Sequence, residues 1–132
     1  MVNQVVSRHQ ADLEPRKILV VEDERIIARD ICKTLEDMGY TVCGSARSST
    51  EALEQAAAER PHLVLMDVRI DGELDGIELS TELKRLYQVP VVFLTGNTDE
   101  VTLQRAFRAE PDGYLSKPFS RATLRTAMEV AF

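Results

Sequence analysis

The sequence predicts an α/β fold, a single doubly wound sheet of five parallel strands with helices on both faces. Three observations predict it. Wholly apolar short runs recur at Ile18, Leu19, Val20 and Val21, at Leu63 to Met66 and at Val91 to Leu94, and strands apolar on both faces belong inside a parallel sheet. Segments with helical spacing separate these runs. The chain has 132 residues, 44% hydrophobic and 29% charged, which suits one domain burying roughly two-thirds of its unfolded surface.

Residues 1–16 end in Glu14, Pro15 and Arg16 and show no sustained period. They read as a flexible leader before a domain spanning residues 17–132. After the first strand, Ile27, Ile31, Leu35 and Met38 mark a helix that Gly39 should stop. Residues 40–46 alternate weakly around Gly44, as an edge strand does. Ser48, with Glu51 three residues later, is a candidate capping box for a second helix carrying Ala52, Leu53, Ala56 and Ala57, which Pro61 ends. Strand three follows at 63–66, and Ile77, Leu79, Leu83 and Leu86 mark the next helix. Strand four at 91–94 and a short strand at 113–116 precede a last helix at about 121–132. The order βαβαβαβαβα implies right-handed crossovers, with ligands beyond the carboxyl ends of the strands.

Sixteen Lys and Arg against 22 Asp and Glu give a formal charge of -6, which argues against the basic surface of a dedicated nucleic-acid binder. No apolar run approaches the roughly 20 residues of a membrane span, and the first 16 residues lack the hydrophobic centre of a secretory signal, so a cytoplasmic protein is expected. Cys32 and Cys43 lack CxxC spacing and a nearby His; buried free thiols are expected rather than a disulfide or a zinc site.

The residues following each apolar run carry the chemistry. Glu22 and Asp23 follow strand one, Asp67 strand three, Thr95 strand four and Lys117 strand five. Carboxylates gathered together repel one another unless a cation sits among them, and Mg²⁺ suits an all-oxygen site. An ammonium from Lys117 and a hydroxyl from Thr95 complete a binding set for a phosphoryl group. Asp67, ending the central strand, is the best nucleophile; Asp23 suits direct metal ligation and Glu22 a metal-bound water. Each residue alone has an ordinary reading as a cap, a strand end or a solvated charge. Together, in this order at one end of one sheet, they point to phosphoryl acceptance.

These residues lie in KILVVEDE (17–24), LVLMD (63–67), Asp75 and Gly76, VVFLTG (91–96) and GYLSKPF (113–119). The set resembles the receiver domain of two-component response regulators over nearly all of residues 17–132. The resemblance implies the flavodoxin-like strand order 2-1-3-4-5 and phosphorylation of Asp67 by a sensor histidine kinase or phosphotransfer protein. It implies Mg²⁺ held by Asp23, Asp67 and the backbone carbonyl of Arg69, with Lys117 and Thr95 gripping the phosphate. It further implies that Tyr114 is a switch aromatic responding to Thr95, that the Lys117–Pro118 peptide is cis, and that the face of helix four, strand five and helix five meets a downstream protein or a second copy. The only chemistry expected is the chain's own phosphorylation and dephosphorylation, so it is not expected to be an enzyme.

The loop VRIDGELDG after Asp67 is one residue longer than the commonest receiver pattern and lacks its usual Pro. Asp71 and Glu73 read there as solvated charges or as an extension of the cation site. Arg69 and Asn97, two residues past Asp67 and Thr95, are candidates for setting phosphoryl lifetime. A dehalogenase-like phosphatase would need an acid where Arg69 stands, and Glu22, Asp23 and Glu24 would repel the phosphate of a flavin carrier. An unphosphorylated interaction module would not need the full acid, Thr and Lys set. A free-standing protein and a receiver cut from a longer kinase or regulator both fit; kinase, stimulus and output are not legible.

Overall fold

The computed structural model describes residues 15–96 and 99–132. Among them, ten elements alternate: β1 (Lys17–Val21), α1 (Arg25–Asp37), β2 (Thr41–Ala46), α2 (Ser49–Glu59), β3 (Leu63–Asp67), α3 (Gly76–Tyr87), β4 (Val91–Thr95), α4 (Glu100–Arg108), β5 (Gly113–Ser116) and α5 (Arg121–Ala131). The expected leader falls outside the described residues except for Pro15 and Arg16. Arg16 is part of the folded unit: its carbonyl accepts from Thr41 N at 2.9 Å and its guanidinium lies 4.3 Å from the centre of the Phe132 ring.

The sheet has the order β2-β1-β3-β4-β5, and every neighbouring pair is parallel. Winding therefore reverses between β1 and β3, whose registers align Val21 with Met66. That reversal sets the residues after Val21 beside Asp67, in the crevice where connections leave in opposite directions. β3 and β4 are buried along their whole length, which is why they read as continuous apolar runs.

Alternate strand residues feed two cores. Leu19, Val64, Met66, Val91 and Phe93 pack with Ala52 and Ala56 of α2, Leu79 and Leu83 of α3 and Ala106 of α4. Ile18, Val20, Leu65, Val92 and Leu94 face Ile31 and Leu35 of α1 and Leu124 and Met128 of α5. Leu86, expected inward from its spacing, is 44% exposed; Tyr87, one residue on, takes the position against the core. The two thiols are half-buried rather than fully buried and pack on opposite faces of the sheet, so they cannot pair within the domain.

Every helix but α1 starts on a side-chain oxygen that satisfies a free N–H group. Asp75 and Glu78 form a full capping box on α3, as do Ser120 and Thr123 on α5. The box expected on α2 is only half formed: Ser48 accepts from Glu51 N, but the Glu51 carboxylate reaches past Ser48 to Arg47 N, at 2.9 Å. α2 and α3 end in left-handed residues that are not glycine, Arg60 and Gln88.

Gly76 opens α3 directly against the end of β3. A Cβ there would lie 2.1 Å from the Asp67 carbonyl oxygen and 2.8 Å from Val68 Cα, both backbone atoms. Gly76→Ala is expected to destabilise the fold by about 2–3 kcal/mol, lowering Tm on the order of 10 °C; an unchanged thermal midpoint by calorimetry would contradict this packing.

Candidate functional site

Glu22, Asp23, Asp67, Thr95 and Lys117 all lie at the carboxyl end of the sheet, whereas Tyr114 stands within β5 beside Phe93. Glu22 is held by its backbone N–H to Ala46 O at 3.0 Å and is fully buried. Asp67 is 7% exposed and Thr95 6%. Glu22, Asp23 and Asp67 each offer an oxygen within 4.8 Å of the others. Lys117 reaches into this group from β5, its Nζ donating to Asp67 Oδ2 at 2.8 Å and to Glu22 Oε2 at 3.0 Å. Its backbone N–H donates to Thr95 O at 2.7 Å, and the Lys117–Pro118 peptide is cis. Asp67 Oδ1 accepts from Arg69 N at 2.9 Å.

One ammonium does not balance three carboxylates. Burial, followed by the hydrogen bond shared with Asp67, pushes Glu22 up to about 8, and Lys117 only partly opposes this. Asp23 is raised by burial and by the charges of Asp67 and Asp71. For Lys117, burial pulls downward but the hydrogen bonds and charges of Asp67 and Glu22 outweigh it, so the ammonium is held above its usual range. Glu22 Oε1 is buried without a hydrogen-bond partner. An all-oxygen donor set, excess negative charge and an orphaned carboxylate oxygen together fit a hard divalent cation that keeps part of its water shell.

A cleft of about 740 Å³ opens at the site, lined by Asp23, Asp67 and Lys117 together with the apolar Ile27, Ile31 and Phe119. Arg69 also lines it, and its guanidinium lies 3.6 Å from Asp99 Oδ2, both side chains more than half exposed. Asp99 Oδ1 meanwhile caps α4 by accepting from Thr102 N at 2.7 Å. Tyr114 is 37% exposed, its ring 4.8 Å from that of Phe107 and its hydroxyl donating to Ala106 O at 3.3 Å. Asn97 lies outside the described residues.

A family model for the response regulator receiver domain matches residues 18–129. The chain belongs to the response regulator receiver family. The receiver is 38% identical over 117 residues to the transcriptional regulatory protein PdtaR of Mycobacterium tuberculosis, covering 89% of this chain and 57% of that protein. It is 33% identical over 116 residues to the phyllosphere-induced regulator PhyR of Methylorubrum extorquens, covering 87% and 43%. The chain thus spans about half the length of these curated relatives. Among solved structures, the signal receiver domain of a modulated diguanylate cyclase from Desulfovibrio desulfuricans G20 superposes with a TM-score of 0.85 at 37% identity, covering 89% of this chain and 94% of that one.

Two contacts of this receiver escaped the sequence reading. Asp75 pairs through its second oxygen with Arg105 of α4 at 2.9 Å, and the loop after β3 is tied to the start of α2, with Ser49 N donating to Asp71 O at 3.1 Å. Neither has a local signal, because the partners are far apart in the chain.

Because the folded state binds the Glu22 proton more tightly than the unfolded chain does, its contribution is full below the unfolded value of 4.5 and is lost as pH rises toward about 8. In metal-free buffer, the urea midpoint of Glu22→Gln is expected to gain on that of the natural protein between about pH 5 and pH 8. A difference that stays flat over this range would contradict the crowding of charge described above.

Proposed function

We propose that this receiver is a phosphorylation-dependent signalling switch that accepts a phosphoryl group on Asp67 from a sensor histidine kinase or phosphotransfer protein. The observation that carries the reading is the Lys117 ammonium bridging Asp67 Oδ2 and Glu22 Oε2 at the floor of an open cleft. The Asp67 carboxylate attacks phosphorus; the P–N bond to the donor imidazole breaks as the P–O bond of the acyl phosphate forms. Lys117, fixed in place by its backbone bond to Thr95, neutralises charge on the phosphoryl oxygens, and the Thr95 hydroxyl donates to one of them. Asp23, Asp67 and the Arg69 carbonyl would hold Mg²⁺ directly and Glu22 through a water, the ion supplying further charge neutralisation when bound.

The acyl phosphate adds charge and acceptors beside Thr95, and it shifts the conformational population by its differential contacts. Tyr114 is the switch aromatic in this reading. The readout face is that of α4, β5 and α5, supported by Val101, Phe107 and Tyr114, which stand exposed there at 71%, 58% and 37%. A downstream protein or a second copy of the chain binds it; no nucleic acid is contacted directly. The chain turns over no outside substrate: Arg69 occupies the place where a phosphatase of related chemistry carries its acid. No helix among the described residues is long and apolar enough to cross a membrane, and a cytoplasmic location is part of the proposal.

With Mg²⁺ and a small phosphodonor, intact mass is expected to show a single phosphoryl adduct that Asp67→Asn abolishes; an adduct persisting in that variant sinks the assignment. Lys117→Gln should slow adduct formation on the order of 100-fold. Arg69 lines the cleft and shields the acyl phosphate, so Arg69→Ala should hasten loss of the phosphoryl group about fivefold, the equivalent of an exposed charge contact of about 1 kcal/mol. An unchanged rate would return Arg69 to its surface pairing with Asp99.

A further inference from the structure

Apolar burial holds α4 only lightly. The helix has nine residues and buries one of them, Ala106, whereas α3 buries five. An element with so little buried surface takes its position from its polar attachments and shifts at low cost when they are lost. Three side-chain attachments serve it among the described residues. The Arg105 guanidinium, in the last turn, donates to Asp75 Oδ2 at 2.9 Å. Asp99, the N-cap, lies 3.6 Å from the Arg69 guanidinium. The Ala106 carbonyl accepts from the Tyr114 hydroxyl at 3.3 Å.

The two ion pairs are unequal. The Arg69 and Asp99 side chains are 60% and 61% exposed, so their attraction contributes little. The Asp75 side chain is 33% exposed, and its other oxygen is already engaged at 2.8 Å by Glu78 N in the capping box of α3. Its carboxyl is therefore oriented before Arg105 meets it, which reduces the side-chain entropy that an ion pair costs.

The place of this pair gives it a role. Asp75 directly precedes Gly76, which lies against the Asp67 carbonyl. Arg105 directly precedes Ala106, the residue that holds the Tyr114 hydroxyl while that side of the tyrosine faces solvent. Thr95 ends β4, and the next element is α4 itself. The acceptor, Thr95 and the aromatic thus all bear on one lightly embedded helix, which the charges of Asp75 and Arg105 fix in place.

We propose that the ion pair between Asp75 and Arg105 is a latch that keeps α4 in its unphosphorylated position and opposes phosphoryl acceptance. The inference rests on the switch reading given above and adds to it a pair of residues that sets the resting population. Because the pair belongs to the resting arrangement, removing it raises the fraction of protein competent to hold a phosphoryl group, and apparent affinity rises by the same factor.

Beryllofluoride, which occupies an acceptor carboxylate in place of a phosphoryl group, serves as the probe. It is titrated with Mg²⁺ present into the full 132-residue protein, and its bound fraction is read by fluorine NMR. Arg105→Gln is expected to tighten binding about threefold at low ionic strength. Asp75→Asn should do the same, since asparagine keeps the cap on α3 and loses the charge. The double variant should gain no more than either single one, and salt should shrink the gain by weakening the natural pair. Hydrogen exchange of the α4 amides should quicken in Arg105→Gln without the probe and match the natural protein with it, which a general loss of stability would not reproduce. Binding by Arg105→Gln no tighter than that of the natural protein, gains that add in the double variant, or faster exchange that persists with the probe bound would overturn the latch. Asp67→Asn separates the two levels. If the natural protein binds beryllofluoride, Asp67→Asn does not, and Arg105→Gln changes nothing, only the latch falls; if the natural protein takes up neither beryllofluoride nor a phosphoryl group, the switch reading fails and the latch falls with it.

Discussion

Three carboxylates held within a few ångströms of one another, with one ammonium between two of them, is the constraint on which the rest of this structure turns. Such a group is unfavourable in isolation, since burial and mutual repulsion both penalise its charged form. It persists because the surrounding sheet is overdetermined: β3 and β4 are buried at every position and paired on both sides. The hydrophobic scaffold supplies the stability and the strand ends carry the electrostatic strain. Charge added or removed at Asp67 therefore acts on a site already far from neutrality.

Most of the architecture was legible because its signals are local. The β-branched runs marked the inner strands, the 3.6-residue period marked the helices, and the residues after each run named the acids, Thr95 and Lys117. The reversal of winding between β1 and β3 turned those separate positions into one cluster, and the strand order came from family resemblance rather than from residue spacing. The cis peptide before Pro118 likewise followed from resemblance.

What was not legible depended on contacts between distant segments. Leu86 and Tyr87 are both apolar neighbours at the end of α3, and only packing decides which one turns inward. Glu51 satisfies the spacing of a capping box, yet its carboxylate has a choice of two backbone donors and takes the earlier one. Gly76 reads as an ordinary helix start until the Asp67 carbonyl is seen against its Cα. The clamp between Ser49 and the loop after β3 joins residues more than twenty positions apart, and no periodicity announces it.

Asp75 serves two helices at once: one oxygen caps the first turn of α3 and the other binds Arg105 of α4. Since α3 begins hard against the backbone at the end of β3, α4 is hinged to the segment that would bear the modification through the pairing of Asp99 with Arg69 and through the Asp75 carboxyl group on Arg105. Any displacement of α4 must drag on the opening turn of its neighbour or unhook that arginine, so the two helices share a mechanical fate that neither of their own sequences would disclose.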